Sequence, residues 1–488
     1  MDEGPEDQIL LLADPHLAVD YDPSIASRCF CRKAGAEAPG KSLEDCRALP
    51  APKGRYGCNP AKELLADAMQ AAEREVAPSW TLLLGGVADH YAANRAESLE
   101  LLRAAVRLLP GPRCAVALGA TDVAPTFQFE MDAEDFFRLE ADVLKPVCGL
   151  SDAEYESLAR FGYYATDMQH EPRVRLLVLN TLVYSSARTY LRTDVADDPF
   201  QQFAWLESQL ADAAADGHKV YIMGHMPPVL VSFTNQSLWK AKHAIRYWML
   251  VTKFGQSILG QFFGHQHRDE FRVQMAPALG AAAPLYIFGS LSPLYHTNPV
   301  FYRLDVGRDY SVHDIHGYWA NLSQESWTFQ HEYSVRGDLG LEQLTNARYA
   351  ELARSFNALP QGNAPWERFF AASVVQNLGG NCTATSSLNP TTCGQCRDEC
   401  RQQAVCTLLY GVSEMGISSC LESGLWKPEA SQEPSPWYRD LRVVALCLVV
   451  FIAFSLFQCR RRVRQVEAAS LPRPDRGAVE LSSARATR

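Results

Sequence analysis

Ile9-Leu10-Leu11-Leu12-Ala13-Asp14-Pro15-His16 is the stretch on which the reading turns. Five apolar residues in a row have the length and character of a buried strand, and the run breaks directly into Asp-x-His. The same event recurs downstream. Trp80–Leu84 gives way to Gly85-Gly86-Val87-Ala88-Asp89-His90, and Cys114–Leu118 to Gly119-Ala120-Thr121-Asp122. Lys219–Met223 leads into Gly224-His225-Met226-Pro227-Pro228, and Ile258–Phe263 into Gly264-His265-Gln266-His267-Arg268-Asp269-Glu270-Phe271.

Between these runs lie segments with apolar residues at helical spacing, Ala61–Glu75, Ala92–Leu109 and Phe200–Ala215. Val174–Asn180, Leu285–Phe288 and Val300–Leu304 read as further strands. Alternating strands and helices predict an α/β fold, a sheet core with helices on its faces. In such folds the chemistry collects beyond the carboxyl ends of the strands, which is where Asp and His stand here. Residues 1–335 are expected to form this domain, with a Cys-rich loop over 22–60. Residues 336–420 are expected to form a smaller, helical, Cys-rich subdomain.

The composition is that of an ordinary globular chain: 488 residues, 47% hydrophobic and 21% charged. The net charge is −10, which argues against binding of a nucleic-acid polymer, since a run of phosphates needs cations to neutralise it. From Gln458 onward eight Arg face three acids, so the tail is net +5 and the rest near −15. Between these parts runs Leu441–Gln458, LRVVALCLVVFIAFSLFQ, with Trp437 and Tyr438 before it and Arg460, Arg461, Arg462 and Arg464 after. We read it as one membrane-spanning helix entered through a linker over 421–440, rather than as a buried core helix. The basic tail, 459–488, then lies in the cytosol. The body lies outside the cell or in an endolysosomal or vacuolar lumen.

Twelve of the 14 Cys fall in the body, clustered at Cys29, Cys31, Cys46 and Cys58 and again from Cys382 to Cys420. That usage reads as disulfides of undetermined connectivity. A zinc knuckle at Cys393, Cys396 and Cys400 is the competing reading, weakened because no His follows at ligand spacing. Glycosylation sequons stand at Asn235, Asn321 and Asn381, and Cys459 beside the span is a lipidation candidate. The opening residues have no basic segment and are no signal peptide, so a missing start is expected.

The order D-x-H, G-H, G-H-x-H resembles the acid sphingomyelinase-like phosphodiesterases, a branch of the calcineurin-like metallophosphoesterases. The resemblance runs from about Ile9 to Cys420 and omits the saposin-like module that some members carry. Gly54-Arg55-Tyr56-Gly57-Cys58-Asn59-Pro60, Gly224–Pro228, Gly264–Phe271, Ser290–Pro293 and Asn298–Phe301 support it. It implies a β-sandwich flanked by helices and a pair of metal ions, usually zinc, that clamp a phosphate ester. Carried over by position, Asp14, His16 and His267 match ligands of the first ion, and His225 and His265 ligands of the second. His90 matches a catalytic His near the leaving group.

Three positions depart from the family pattern. Gly86 stands where the bridging Asp belongs, Ala120 where an Asn ligand belongs, and Thr121 where a catalytic His belongs. Two divalent ions need a shared carboxylate to screen their repulsion, and glycine has no side chain. The remaining ligands suffice for one ion and are too few for two. The reading is a membrane-anchored, catalytically impaired metallophosphoesterase whose partner is a phosphorylated small molecule or lipid, with any protein partner unknown. The alternative is a working hydrolase of sphingomyelin-type lipids or nucleotides with one ion, or with Asp89 recruited.

Overall fold

The computed structural model describes residues 7–426 apart from 19, 33–42, 93, 128–135, 171–172, 188–196, 233, 274–282, 358–363, 378–395 and 397–398. Among the described residues twelve strands form two six-stranded sheets. They are β1 (Asp7–Leu12), β2 (Trp80–Leu83), β3 (Cys114–Val116), β4 (Tyr164–His170), β5 (Arg173–Val178) and β6 (Lys219–Met223). β7 (Ile258–Phe263), β8 (Glu270–Arg272), β9 (Leu285–Ile287), β10 (Val300–Val306), β11 (Val312–Trp319) and β12 (Gln330–Ser334) follow. One sheet has the order β12-β11-β10-β1-β2-β3 and the other β4-β5-β6-β7-β9-β8.

Why these segments are strands is plain from burial. Ile9 to Leu12, Leu82 and Leu83, Val220 to Met223, and Phe262 and Phe263 are almost wholly inaccessible. Strands apolar on both faces belong in the parallel middle of a covered sheet. β1, β2 and β3 are indeed parallel neighbours, as are β5, β6, β7 and β9. The two sheets share one apolar core. Tyr164 of β4 ties them directly: its hydroxyl accepts from the Val116 N–H at 3.0 Å and donates to the Val116 carbonyl at 3.3 Å.

Parallel neighbours send their carboxyl ends the same way. The loops after β1, β2, β3, β6 and β7 therefore meet at one edge, and they carry Asp14, Gly86, Asp122, His225 and His267 respectively. A mixed α/β fold is what the sequence predicted, and β6 and β7 fall on the predicted residues. The helices Arg138–Cys148, Asp152–Phe161 and Ala241–Phe254 and the strands β4, β11 and β12 were not predicted. Asp152–Phe161 had a readable start, the capping box formed by Ser151 and Glu154. The aromatic stretch from Trp239 to Trp248 is core: both indole N–H groups donate to carbonyls of the Gly224–Pro228 segment, at Met226 and Pro228.

Five disulfides occur among the described residues, Cys29–Cys46, Cys31–Cys58, Cys114–Cys148, Cys396–Cys400 and Cys406–Cys420. The Cys396–Cys400 bond removes both sulfurs from a zinc knuckle. Cys382, Cys393, Asn381, the span Leu441–Gln458 and Cys459 lie outside the described residues. Among the described residues no helix is long and apolar enough to cross a membrane. Residues Met1–Glu429 make one compact unit, which contains every described helix and strand.

One buried carboxylate holds the loop edge together. Asp122 accepts from the backbone N–H groups of Val87 and Ala88 on one oxygen, at 2.7 and 2.9 Å, and of Gly86 and Gly119 on the other, at 3.0 and 2.7 Å. The two loops interlock so closely that a Cβ on Gly119 would lie 2.1 Å from the Gly86 nitrogen. Asp122→Ala strands four buried donors, and each orphaned group costs about 1–3 kcal/mol. We expect urea denaturation to show a loss of about 4 kcal/mol or more for Asp122→Ala, against less than about 1.5 kcal/mol for Thr121→Ala, which removes one hydrogen-bonding hydroxyl.

Candidate metal centre

Asp14 and His16 lie just past β1, where the chain turns sharply. Both have positive φ, 49° and 40°. The turn is pinned by the Asp14 N–H donating to the Gly85 carbonyl at 3.1 Å and the His16 N–H to that of Gly86 at 2.8 Å. After β7 the chain does the same at His265 and His267, with φ of 70° and 55°. Left-handed backbone at a residue with a side chain is costly and clusters at functional sites.

The Asp14 carboxylate is fully buried at the centre of the group. One oxygen accepts from the His265 N–H at 2.7 Å. The other, Oδ1, has no hydrogen-bond partner. It faces three imidazole nitrogens: His16 Nε2 at 3.4 Å, His267 Nε2 at 3.7 Å and His225 Nδ1 at 3.7 Å. His16 Nε2 and His267 Nε2 are 3.2 Å apart, and His225 Nε2 lies 3.1 Å from His265 Nδ1.

Carbonyl partners fix two of the tautomers. His16 donates from Nδ1 to the Ala88 carbonyl at 3.0 Å, and His225 from Nδ1 to that of Leu84 at 2.9 Å. Each therefore turns an Nε2 lone pair inward. Burial pushes His16 down to about 4, His225 and His265 to about 3 and His90 to about 2, and holds His267 well below the usual range. Burial lifts Asp14 to about 6, opposed by His225 and the His265 N–H. Neutral imidazoles with inward lone pairs around an unpartnered carboxylate oxygen are a donor set that fits a metal ion. His16, His90 and His267 offer nitrogens mutually within 4.8 Å, a grouping able to hold one.

The sequence-derived residues are thus brought together as two halves sharing Asp14. His16 and His267 lie on one side with His90, whose ring centroid is 3.9 Å from that of His16. His225 and His265 lie on the other. Ala120 is buried and brings no donor atom, and the Thr121 hydroxyl lies 3.3 Å from His16 Nδ1. Asp89 faces elsewhere: it accepts from the Asn59 amide and the Tyr91 N–H and lies 3.9 Å from Arg32. Of the sequons, Asn235 is exposed and Asn321 half-buried.

Gly86 decides how much the site can hold. A Cβ there would lie 2.5 Å from Asp14 Oδ1 and 3.0 Å from His225 Cε1, and the residue has φ of 69°. A side chain at position 86 would therefore press directly on the Asp14 carboxylate.

Three contributors were not singled out from the sequence. Asn59 accepts from His90 Nδ1 at 3.1 Å, and only its place beside Cys58 in the Gly54–Pro60 loop hinted at a role. Tyr295 stands edge-on to His267 at 4.7 Å, and Phe127 edge-on to His265 at 6.2 Å. No local pattern marks either ring.

Comparison with known proteins agrees with the resemblance read from the motifs. No family model matches the chain. Human acid sphingomyelinase-like phosphodiesterase 3b is 29% identical over 403 residues, 77% of this chain and 85% of that protein. Human cyclic GMP-AMP phosphodiesterase SMPDL3A is 27% identical over 266 residues, 52% of this chain and 57% of that one. A dimetal phosphatase from Danio rerio superposes with a TM-score of 0.40 at 14% identity, covering 67% of this chain and 99% of its own.

The Asp14 environment has a measurable consequence in metal-free buffer. The folded carboxyl titrates at about 6 against an ordinary 3.8. Between those values the folded state keeps a proton that the unfolded chain has released. The stability from that proton is complete below the unfolded value and is lost as pH rises to the folded one, to a limit of about 3 kcal/mol. With a chelator present, Asp14→Asn is expected to be more stable than wild type at pH 8, by up to about 3 kcal/mol in urea denaturation, with the advantage gone near pH 4.

Proposed function

We propose that this relative of the acid sphingomyelinase-like phosphodiesterases is a membrane-anchored metallophosphoesterase scaffold that binds a phosphorylated small molecule or lipid and hydrolyses it poorly. The observation that carries the reading is Gly86, where no carboxylate exists and where a Cβ would lie 2.5 Å from Asp14 Oδ1. Asp14, His16 and His267 would hold one ion, most simply zinc with its preference for imidazole and carboxylate. A bound ion supplies positive charge toward phosphate oxygens. His225 and His265 keep their nitrogens 3.1 Å apart without a carboxylate of their own.

Losing the shared carboxylate and a positioned acid together removes several kcal/mol of transition-state stabilisation, the acid alone being worth about 10²–10⁴ in rate. Recruitment of Asp89 has little support, because its Oδ1 is engaged by Asn59 and the Tyr91 N–H and its Oδ2 faces Arg32. The second reading is a one-ion hydrolase of phosphodiesters, the bond class named in both relatives. It is favoured by the five ligand-type side chains that still converge here, Asp14, His16, His225, His265 and His267.

The apolar stretch Leu441–Gln458 with the Arg cluster after it supports anchoring through one helix. The disulfides support a body outside the cell or in an endolysosomal or vacuolar lumen.

Elemental analysis after exchange into metal-free buffer is expected to return one ion per chain; two would overturn the reading. Gly86→Asp alone is expected to leave that count at one. It should also lower stability by about 2 kcal/mol or more, because a side chain at positive φ is strained and its Cβ collides with Asp14. Calorimetric or fluorescence melts of the two proteins compare this directly.

A further inference from the structure

We infer that His90 is itself a ligand of the single ion, so that a three-histidine centre, His16, His90 and His267, with Asp14 beside it, takes the place of the two-ion site. This rests on the one-ion reading above and assigns His90 a different task from the leaving-group role that the resemblance implies.

His90 Nδ1 lies 3.1 Å from the Asn59 side-chain oxygen, an acceptor, and therefore carries the proton. Its Nε2 is left with a lone pair. Asn59 cannot turn its amide over to reverse this, because its nitrogen donates to the buried Asp89 carboxylate. Asp89 is held in turn by the Tyr91 N–H at 2.9 Å and faces Arg32. The chain Arg32, Asp89, Asn59, His90 is thus a positioning relay that sets one tautomer.

His16 is fixed the same way by the Ala88 carbonyl at 3.0 Å, with Thr121 reinforcing it at 3.3 Å. His267 has its Nδ1 buried and unpartnered and its Nε2 3.2 Å from His16 Nε2. The three donor nitrogens lie mutually within 4.8 Å, and Asp14 Oδ1, also without a hydrogen bond, lies 3.4 Å from His16 and 3.7 Å from His267. Without an ion His267 Nε2–H donates to His16 Nε2, and moving that proton to the unpartnered Nδ1 of His267 frees both Nε2 lone pairs for a cation. Three imidazoles with a carboxylate nearby match the donor number and type of a tetrahedral zinc site. Acceptors behind the imidazoles are how such ligands are oriented.

A ligating Nε2 is not free to protonate a leaving group. The same residue therefore strengthens ion binding and removes the last acid near the site, which is consistent with binding rather than turnover.

The test uses the full chain and Zn²⁺ alone, with a chromophoric chelator in competition and circular dichroism to confirm folding. His90→Ala should weaken zinc by more than the roughly 10–100-fold expected for loss of an outer partner, which is the loss expected of Asn59→Ala. His218→Ala, just before the start of β6 and so at the far end of that strand from the loop edge, should leave affinity within about twofold and the count at one ion. Cobalt-loaded His90→Cys should show a sulfur-to-cobalt charge-transfer band, a signature that a structural role for position 90 cannot produce. One ion per chain with no effect of His90→Ala and no such band overturns the inference and leaves the one-ion reading standing. Two ions per chain, or none, overturn that reading and the inference with it.

Discussion

Four backbone N–H groups from two glycine turns converge on Asp122, and every functional group at the loop edge is placed relative to those turns. With the segment from Gly86 to Ala88 held, the carbonyls of Gly85 and Gly86 are aimed at the N–H groups of Asp14 and His16. The Ala88 carbonyl is aimed at the His16 ring. A carboxylate so completely engaged is unavailable to a ligand. Asp122 shapes the floor of the site.

That floor supports an expensive arrangement. Asp14, His16, His265 and His267 all have left-handed backbone, at a cost on the order of 1–3 kcal/mol each. It persists because neighbours over-determine it: Ser290 donates to the Asp14 carbonyl at 2.8 Å, and the His265 N–H donates to the Asp14 carboxylate. Four strained residues, one of them bearing a buried and partly unsatisfied carboxylate, are poor design for stability alone. They make sense if the cluster recognises something positively charged, and neutral inward-facing imidazoles specify a metal ion rather than an ammonium group.

The two halves of the site differ in character. On the side of His16 and His267 a further imidazole, His90, stands against His16, backed by Asn59. On the other side His225 faces the Asp14 carboxylate that both halves share. A side chain at Gly86 would press on Asp14 Oδ1 and His225 Cε1 from a backbone at positive φ.

Much of this was legible in one dimension. Short apolar runs that break into Gly, Asp and His predicted the central strands almost to the residue, because a buried parallel strand must be apolar on both faces and its carboxyl end is where polar residues begin. The same runs pointed to Asp14, His16, His225, His265 and His267 as neighbours, and these side chains do converge; Gly86, Ala120 and Thr121 stood out only through the family resemblance. Edge elements such as Tyr164–His170 and Gln330–Ser334 stayed hidden, because strands with a solvated face carry mixed, weak patterns. What tertiary structure alone decided is which side chains face which. Asn59, 31 residues before His90, sets that ring's tautomer, and Asp89, beside it in sequence, faces away. A hydrogen bond depends on distance and direction in space, and neither is encoded in the order of residues until the two sheets have packed.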